Sequence, residues 1–271
     1  MHPILFHLNF PWGGQMTVYT YGVLVATGVL LGLWYARRRA PAAGLEPDRV
    51  WNAGIYFVLA GLLTAKLWLV AIHADEYWRN PSELFSASTL QAGGTFYGGM
   101  LGGIAVLVLY CHYQKVAILA LLDTFAAAMP LGHAIGRLGC FFAGCCFGKP
   151  TSLPWGVTFR NPFANQLSDT PLGIPLHPTQ LYESAAELVN FALLIWLDRK
   201  QKFTGQILGA YLMLYGVERG LFEFLRGDGD RTLMFHDTVS LMQFVSVGML
   251  FTGAFLWYRG FKQPEPVAAS R

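Results

Sequence analysis

Apolar stretches of about twenty residues recur seven times in this chain, over residues 17–36, 51–73, 95–113, 116–136, 179–197, 205–225 and 237–258. A helix of that length rises far enough to cross the roughly 30 Å hydrocarbon core of a bilayer. Only 13% of the 271 residues are charged, against about 25% in an ordinary soluble domain. The expected fold is therefore an all-α integral membrane protein with about seven transmembrane helices. It forms a single polytopic domain over residues 1–262, followed by a short disordered tail at 263–271.

The basic residues orient it. Arg37, Arg38, Arg39 and Arg49 follow the first stretch, Lys115 the third, Arg199, Lys200 and Lys202 the fifth, and Arg259, Lys262 and Arg271 the seventh. These segments lie on one side, which the positive-inside rule makes cytoplasmic. The N-terminus is then periplasmic, the C-terminus cytoplasmic, and the loops 74–94, 137–178 and 226–236 face outward. No basic n-region or cleavage site precedes the first stretch, so no removable signal peptide is expected. A net charge of +3 in short clusters is too small to argue for nucleic acid, and no nucleic-acid partner is expected.

Arg137, at the end of the fourth stretch, is the residue that most needs a reason. A guanidinium at membrane depth costs roughly 2.5–3.5 kcal/mol on insertion scales and calls for an anionic partner. His133 stands four residues earlier, on the same helix face, where a fixed positive charge favours its neutral ring. In the sixth stretch Tyr215, Arg219, Glu223 and Arg226 are spaced i, i+4, i+8 and i+11, one ionised stripe on an apolar helix. Gln180 and Glu183 share a face at the start of the fifth. Tyr21 lies at the outer end of the first stretch, either in an aromatic belt or turned inward. Tyr97 stands among glycines 94, 98 and 102, whose four-residue repeat permits close helix packing; its phenol can meet a headgroup or carry a proton.

Each of these also has a plainer account: a core histidine at His133, an internal ion pair of Arg219 with Glu223, and helix-terminal comfort for Glu183. Of the four cysteines, Cys111 is isolated, and Cys140, Cys145 and Cys146 read Cys-x4-Cys-Cys. Structural zinc sites use Cys-x2–4-Cys pairs, and no second pair follows. No metal and no cofactor is expected. A disulfide, small buried thiols, or a thiol activated by Arg137 remain open.

Three blocks, taken in order, carry a resemblance. Gly136-Arg137-Leu138-Gly139, His177-Pro178-Thr179-Gln180-Leu181-Tyr182-Glu183 and Tyr215-x3-Arg219-x3-Glu223 resemble the prolipoprotein diacylglyceryl transferases, in a match that runs over nearly the whole chain. The resemblance implies an enzyme of the bacterial inner membrane, with its site toward the periplasm. It would move diacylglycerol from phosphatidylglycerol to the lipobox cysteine of a preprolipoprotein signal peptide, forming a thioether and releasing glycerol 1-phosphate, the first step of lipoprotein maturation. By position, Arg137 is similar to the family's phosphatidylglycerol-binding arginine. Tyr21, Tyr215, Arg219 and Glu223 resemble its other site residues, and Gln180 and Glu183 a supporting motif. The chain departs from the family pattern at Tyr97, where some members have histidine, at Cys140 and Cys145, where many have Asn and Glu, and at Lys66, where arginine is common.

On this reading Arg137 and Arg219 hold the phosphate through bidentate hydrogen bonds. The base ranks Tyr97 first, then Glu223 and His133. The expected catalytic set is Arg137, Arg219, Tyr97, Tyr215 and Glu223; the expected substrate contacts are Arg137, Tyr21, Arg219, Gln180, Glu183 and His133. Two other classes fit less well. One is a membrane thiol–disulfide or quinone oxidoreductase using Cys140, Cys145 and Cys146; the other is an anionic lipid transporter, although no inverted repeat is found.

Overall fold

The computed structural model describes residues 2–9, 15–82, 94–229, 233–234 and 239–263. Residues 83–93 of the expected outward loop, much of the 226–236 loop and the tail from 264 lie outside the described residues. The fold is mainly helical: α1 (Thr20–Arg39), α2 (Pro47–Ile72), α3 (Ala74–Arg79), α4 (Phe96–Gln114), α5 (Ile118–Ala143), α6 (Pro162–Ser168), α7 (Thr179–Asp198), α8 (Gln206–Phe222) and α9 (Leu241–Lys262). Three antiparallel pairs of strands accompany them: β1 (Ile4–Asn9) with β2 (Gln15–Tyr19), β3 (Val157–Thr158) with β4 (Pro175–Leu176), and β5 (Leu233–Met234) with β6 (Val239–Ser240).

By length and composition α2, α5 and α9 are able to cross a membrane. Large apolar side chains face outward, among them Leu59, Leu62 and Leu63 on α2, Leu101 on α4, and Phe251 and Phe255 on α9. Glu183, Glu187 and Glu223, by contrast, are buried. A protein folded in water distributes these residue types the other way round.

The described residues form two compact units, one of Arg37–Leu121 and the other of the segments before and after it. Within the Arg37–Leu121 unit, α2 and α4 touch backbone to backbone. A Cβ placed on Gly99 would stand 3.0 Å from the carbonyl oxygen of Gly61, and one on Gly61 would stand 3.4 Å from that of Gly99. Gly98 and Gly102 face Trp68 and Thr64. The glycine repeat therefore packs a helix pair, as its spacing suggested.

In the other unit α1 crosses α5 equally closely, since a Cβ on Gly28 would lie 2.6 Å from the Gly132 oxygen. Helix α5 carries Pro130 inside it and runs on to Ala143. It thus overshoots the expected end at 136, and Arg137 sits within a helix rather than opening a loop. Near the other end of α5 the buried Asp123 accepts hydrogen bonds from Gly205 N–H (2.6 Å), Leu208 N–H (2.7 Å) and the Gln201 amide (2.7 Å). Gly205, at the N-terminus of α8, has no side chain to cap it. A carboxylate from α5 takes that role, where negative charge suits the helix dipole, and so fixes α8 against α5.

The segment between α5 and α7 is folded around its own small core of Phe147, Phe159, Ala164 and Leu176. Backbone hydrogen bonds fasten it to the ends of its neighbours: Gly148 N–H to His177 (3.0 Å), Lys149 N–H to Leu225 (2.8 Å) and Gly227 N–H to Phe147 (3.0 Å).

Candidate active site

Helices α5, α7 and α8 turn polar stripes toward one another. On α7 these residues are Glu183, Glu187 and Asn190, at i, i+4 and i+7, and all three are buried. On α5 they are His133 and Arg137. The stripes meet in three rungs. Arg137 Nη2 pairs with Glu183 Oε2, His133 Nδ1 lies 2.5 Å from Glu187 Oε1, and Asn190 Nδ2 donates to Glu218 Oε2 on α8 at 2.6 Å. Buried charges persist when they are paired in this way. The arrangement corrects one expectation. His133 does not stand only under the field of Arg137; a carboxylate grips its Nδ1, which orients the ring and leaves Nε2 for other work.

Arg219 Nη1 pairs with Glu223 Oε2 at 2.6 Å, the i, i+4 pair read from the sequence. The stripe ends there. Helix α8 stops at Phe222, and a single 3-10 turn covers Glu223–Leu225. Arg226 then leaves in extended conformation and pairs with Asp228 instead of extending the face. Tyr215 lies one turn before Arg219 on α8 and within the electrostatic reach of Arg137, Arg219, Glu183 and Glu187. Its ring centroid is 5.5 Å from that of His133 and 5.7 Å from that of Tyr211.

Several polar atoms of this group are buried with no hydrogen-bond partner: Nε of Arg137 and one oxygen each of Glu183, Glu187, Glu218 and Glu223. An orphaned buried donor or acceptor costs about 1–3 kcal/mol, so their concentration in one place makes this group the candidate site. Tyr21 stays exposed. It packs on Gly139 of α5, where an added Cβ would meet its ring at 3.3 Å, and it interacts with Arg137 and the cysteines.

Gln180 also holds the cysteine turn, while its Oε1 is buried without a partner. Its amide donates to the Cys145 carbonyl (2.7 Å), and the neighbouring Thr179 hydroxyl to the Cys146 carbonyl (2.8 Å). The Thr-Gln pair of the His-Pro-Thr-Gln block is thus a clamp on the cysteine turn. In that turn Cys140, Cys145 and Cys146 are free and half-buried, with their sulfurs within 4.8 Å of one another. The Cys145 thiol donates to the Cys140 carbonyl at 3.7 Å. Tyr97 and Lys66 belong to the Arg37–Leu121 unit. There Tyr97 lies half exposed in the first turn of α4.

The profile of the prolipoprotein diacylglyceryl transferase family matches residues 3–259. The chain belongs to that family. It is 35% identical over 258 residues to a Clostridium tetani protein named phosphatidylglycerol–prolipoprotein diacylglyceryl transferase, a match covering 95% of this chain and 97% of the relative. Relatives of the same name from Clostridioides difficile (32% identical; 83% of this chain, 82% of the relative) and Bordetella parapertussis (33%; 93% and 94%) agree. The oxidoreductase and transporter alternatives find no support among them.

For this member of the prolipoprotein diacylglyceryl transferase family, sequence reasoning missed Glu187, Glu218 and Asn190. The signal was present. Three polar residues at i, i+4 and i+7 on an apolar helix, and a second carboxylate beside Arg219, are too costly to be idle. What sequence lacked was the pairing.

Proposed function

We propose that the protein transfers the diacylglyceryl group of phosphatidylglycerol to the thiol of a lipobox cysteine. The observation that carries the reading is the pair of largely buried arginines, Arg137 on α5 and Arg219 on α8, each held by its own buried carboxylate. In the reaction the thiol sulfur attacks the glyceryl carbon that bears the phosphate. The S–C bond forms as the C–O bond breaks, and its electron pair leaves with the oxygen of glycerol 1-phosphate. Negative charge grows on that phosphate in a water-poor site, where fixed guanidinium donors stabilise it most. A point-charge lysine lacks the fork.

The thiol proton needs an acceptor. Sequence alone ranked Tyr97 first. The Glu187–His133 contact favours His133 instead, because a buried carboxylate holding one ring nitrogen orients the other as a base.

The membrane arrangement is part of the proposal: seven spans formed by α1, α2, α4, α5, α7, α8 and α9 in the bacterial inner membrane, N-terminus outside, with the site toward the periplasm. The triple arginine in the last turn of α1 and Arg259 and Lys262 in the last turn of α9 support it. An epitope inserted at Leu153 should be digested by protease added to intact spheroplasts, and one at Gly44 only once they are lysed. The opposite pattern would invert the topology.

The activity has a direct test. Purified protein is incubated with phosphatidylglycerol vesicles and a lipobox peptide, and the peptide is weighed by mass spectrometry. The expected product carries one diacylglyceryl group on its cysteine. No adduct under conditions where the Clostridium tetani relative forms one would reject the reading.

A further inference from the structure

The three clustered thiols are the part of the site that the phosphate chemistry does not use. Cys140 lies in the last turn of α5, and Cys145 and Cys146 follow just beyond its end. Gly144 and Cys146 both take positive φ, 87° and 59°, which turns the chain back. This reversal gathers all three sulfurs within 4.8 Å of one another. A disulfide would use two of them and strand the third. A thiophilic ion uses all three: with Zn–S bonds of about 2.3 Å, tetrahedral geometry places sulfurs about 3.8 Å apart, so the cluster needs to contract by no more than about 1 Å.

We propose that Cys140, Cys145 and Cys146 form a three-thiolate zinc site whose open fourth position takes the incoming lipobox thiol. The fourth-position half of this proposal rests on the transferase reading above. The objection from spacing falls away once the fold is known. Cys-x2–4-Cys describes knuckle turns, whereas here a helix end and a left-handed residue bring the ligands together.

The surroundings suit the ion. Three thiolates with one zinc ion carry a charge of −1, and both Arg137 and Arg226 interact electrostatically with Cys146. Thr179 and Gln180, gripping the carbonyls of Cys146 and Cys145, supply the outer support that metal ligands need to hold their geometry. Zinc would also give the reaction its nucleophile. A coordinated thiol is deprotonated outright, its proton leaving to water at the site or being relayed through water toward His133, seven residues or about 10 Å along α5 from Cys140. As the S–C bond forms the sulfur becomes a thioether, a weak ligand, and leaves zinc unchanged in oxidation state.

Protein purified in detergent without chelator should contain one zinc per chain by elemental mass spectrometry. Cys140→Ser/Cys146→Ser should lose it, while Cys111→Ser, in the other unit, should keep it. After exchange with Co(II) the protein should show the absorption of a tetrahedral thiolate site, and a lipobox peptide should shift that spectrum where its Cys→Ser analogue does not. A parent protein without zinc, with all three thiols open to alkylation or with two joined in a disulfide, would overturn the site. A cobalt spectrum indifferent to the peptide would overturn its fourth-position role. The transfer assay separates the two readings. Lipid transfer by zinc-free protein rejects this site and leaves the transferase, and stoichiometric zinc without any transfer does the reverse.

Discussion

Arg137→Lys is expected to slow lipid transfer by about 10²–10³-fold, the usual effect of removing one preorganised donor from a developing charge, with little change in the amount of folded protein. The charge survives and still faces Glu183; the bidentate fork is lost. Arg137→Ala is a harsher change. It leaves Glu183, only 2% exposed, as an uncompensated buried carboxylate, which costs about 3–5 kcal/mol of stability. The double variant Arg137→Gln/Glu183→Gln separates the two effects. It removes both charges together, so thermal stability in detergent should recover toward the parent while transfer remains lost. Parent-level transfer in Arg137→Lys would refute the phosphate-clamp assignment.

The second large effect concerns the base. His133→Ala should lower the turnover rate by about 10²–10⁴-fold, the range for a general base, with the KM for phosphatidylglycerol little changed. Added imidazole should restore part of the rate, which no structural defect would allow. Glu187→Gln keeps a hydrogen-bond partner but removes the charge that fixes the ring, so its loss should be smaller and in the same parameter. Tyr97→Phe should keep nearly the parent rate. If Tyr97→Phe is inactive and His133→Ala is not, the role passes to Tyr97.

How much of this was legible before the structure depends on what each signal measures. Apolar length announced a mainly helical fold, and α2, α5 and α9 are long and apolar enough to cross a membrane, because the length of an apolar run is a local property of the sequence. Periodicity gave the Arg219–Glu223 pair and the shared face of His133 and Arg137, since i, i+4 neighbours meet in any helix. The end of α5 was misplaced. The apolar run stops at the charged Arg137, but the helix does not: Glu183 pairs with that arginine, Tyr21 packs on Gly139, and α5 continues to Ala143. Arg226 was placed on the stripe by counting alone, and the count fails where α8 gives way to a 3-10 turn. The rungs that join α5, α7 and α8 were out of reach, for which helix neighbours which is not a periodic property. The same holds for the three sulfurs, whose meeting depends on a reversal of the chain that their spacing does not reveal.

The Arg137–Glu183 rung engages Nη2 of the guanidinium and leaves Nε without a partner. On the proposed reading the arginine is therefore aimed before the lipid arrives, and the rotamer freedom that a long side chain would lose on binding is already spent. The carboxylate that aims it also offsets its charge, which keeps the hold on any anion modest and lets the spent headgroup go.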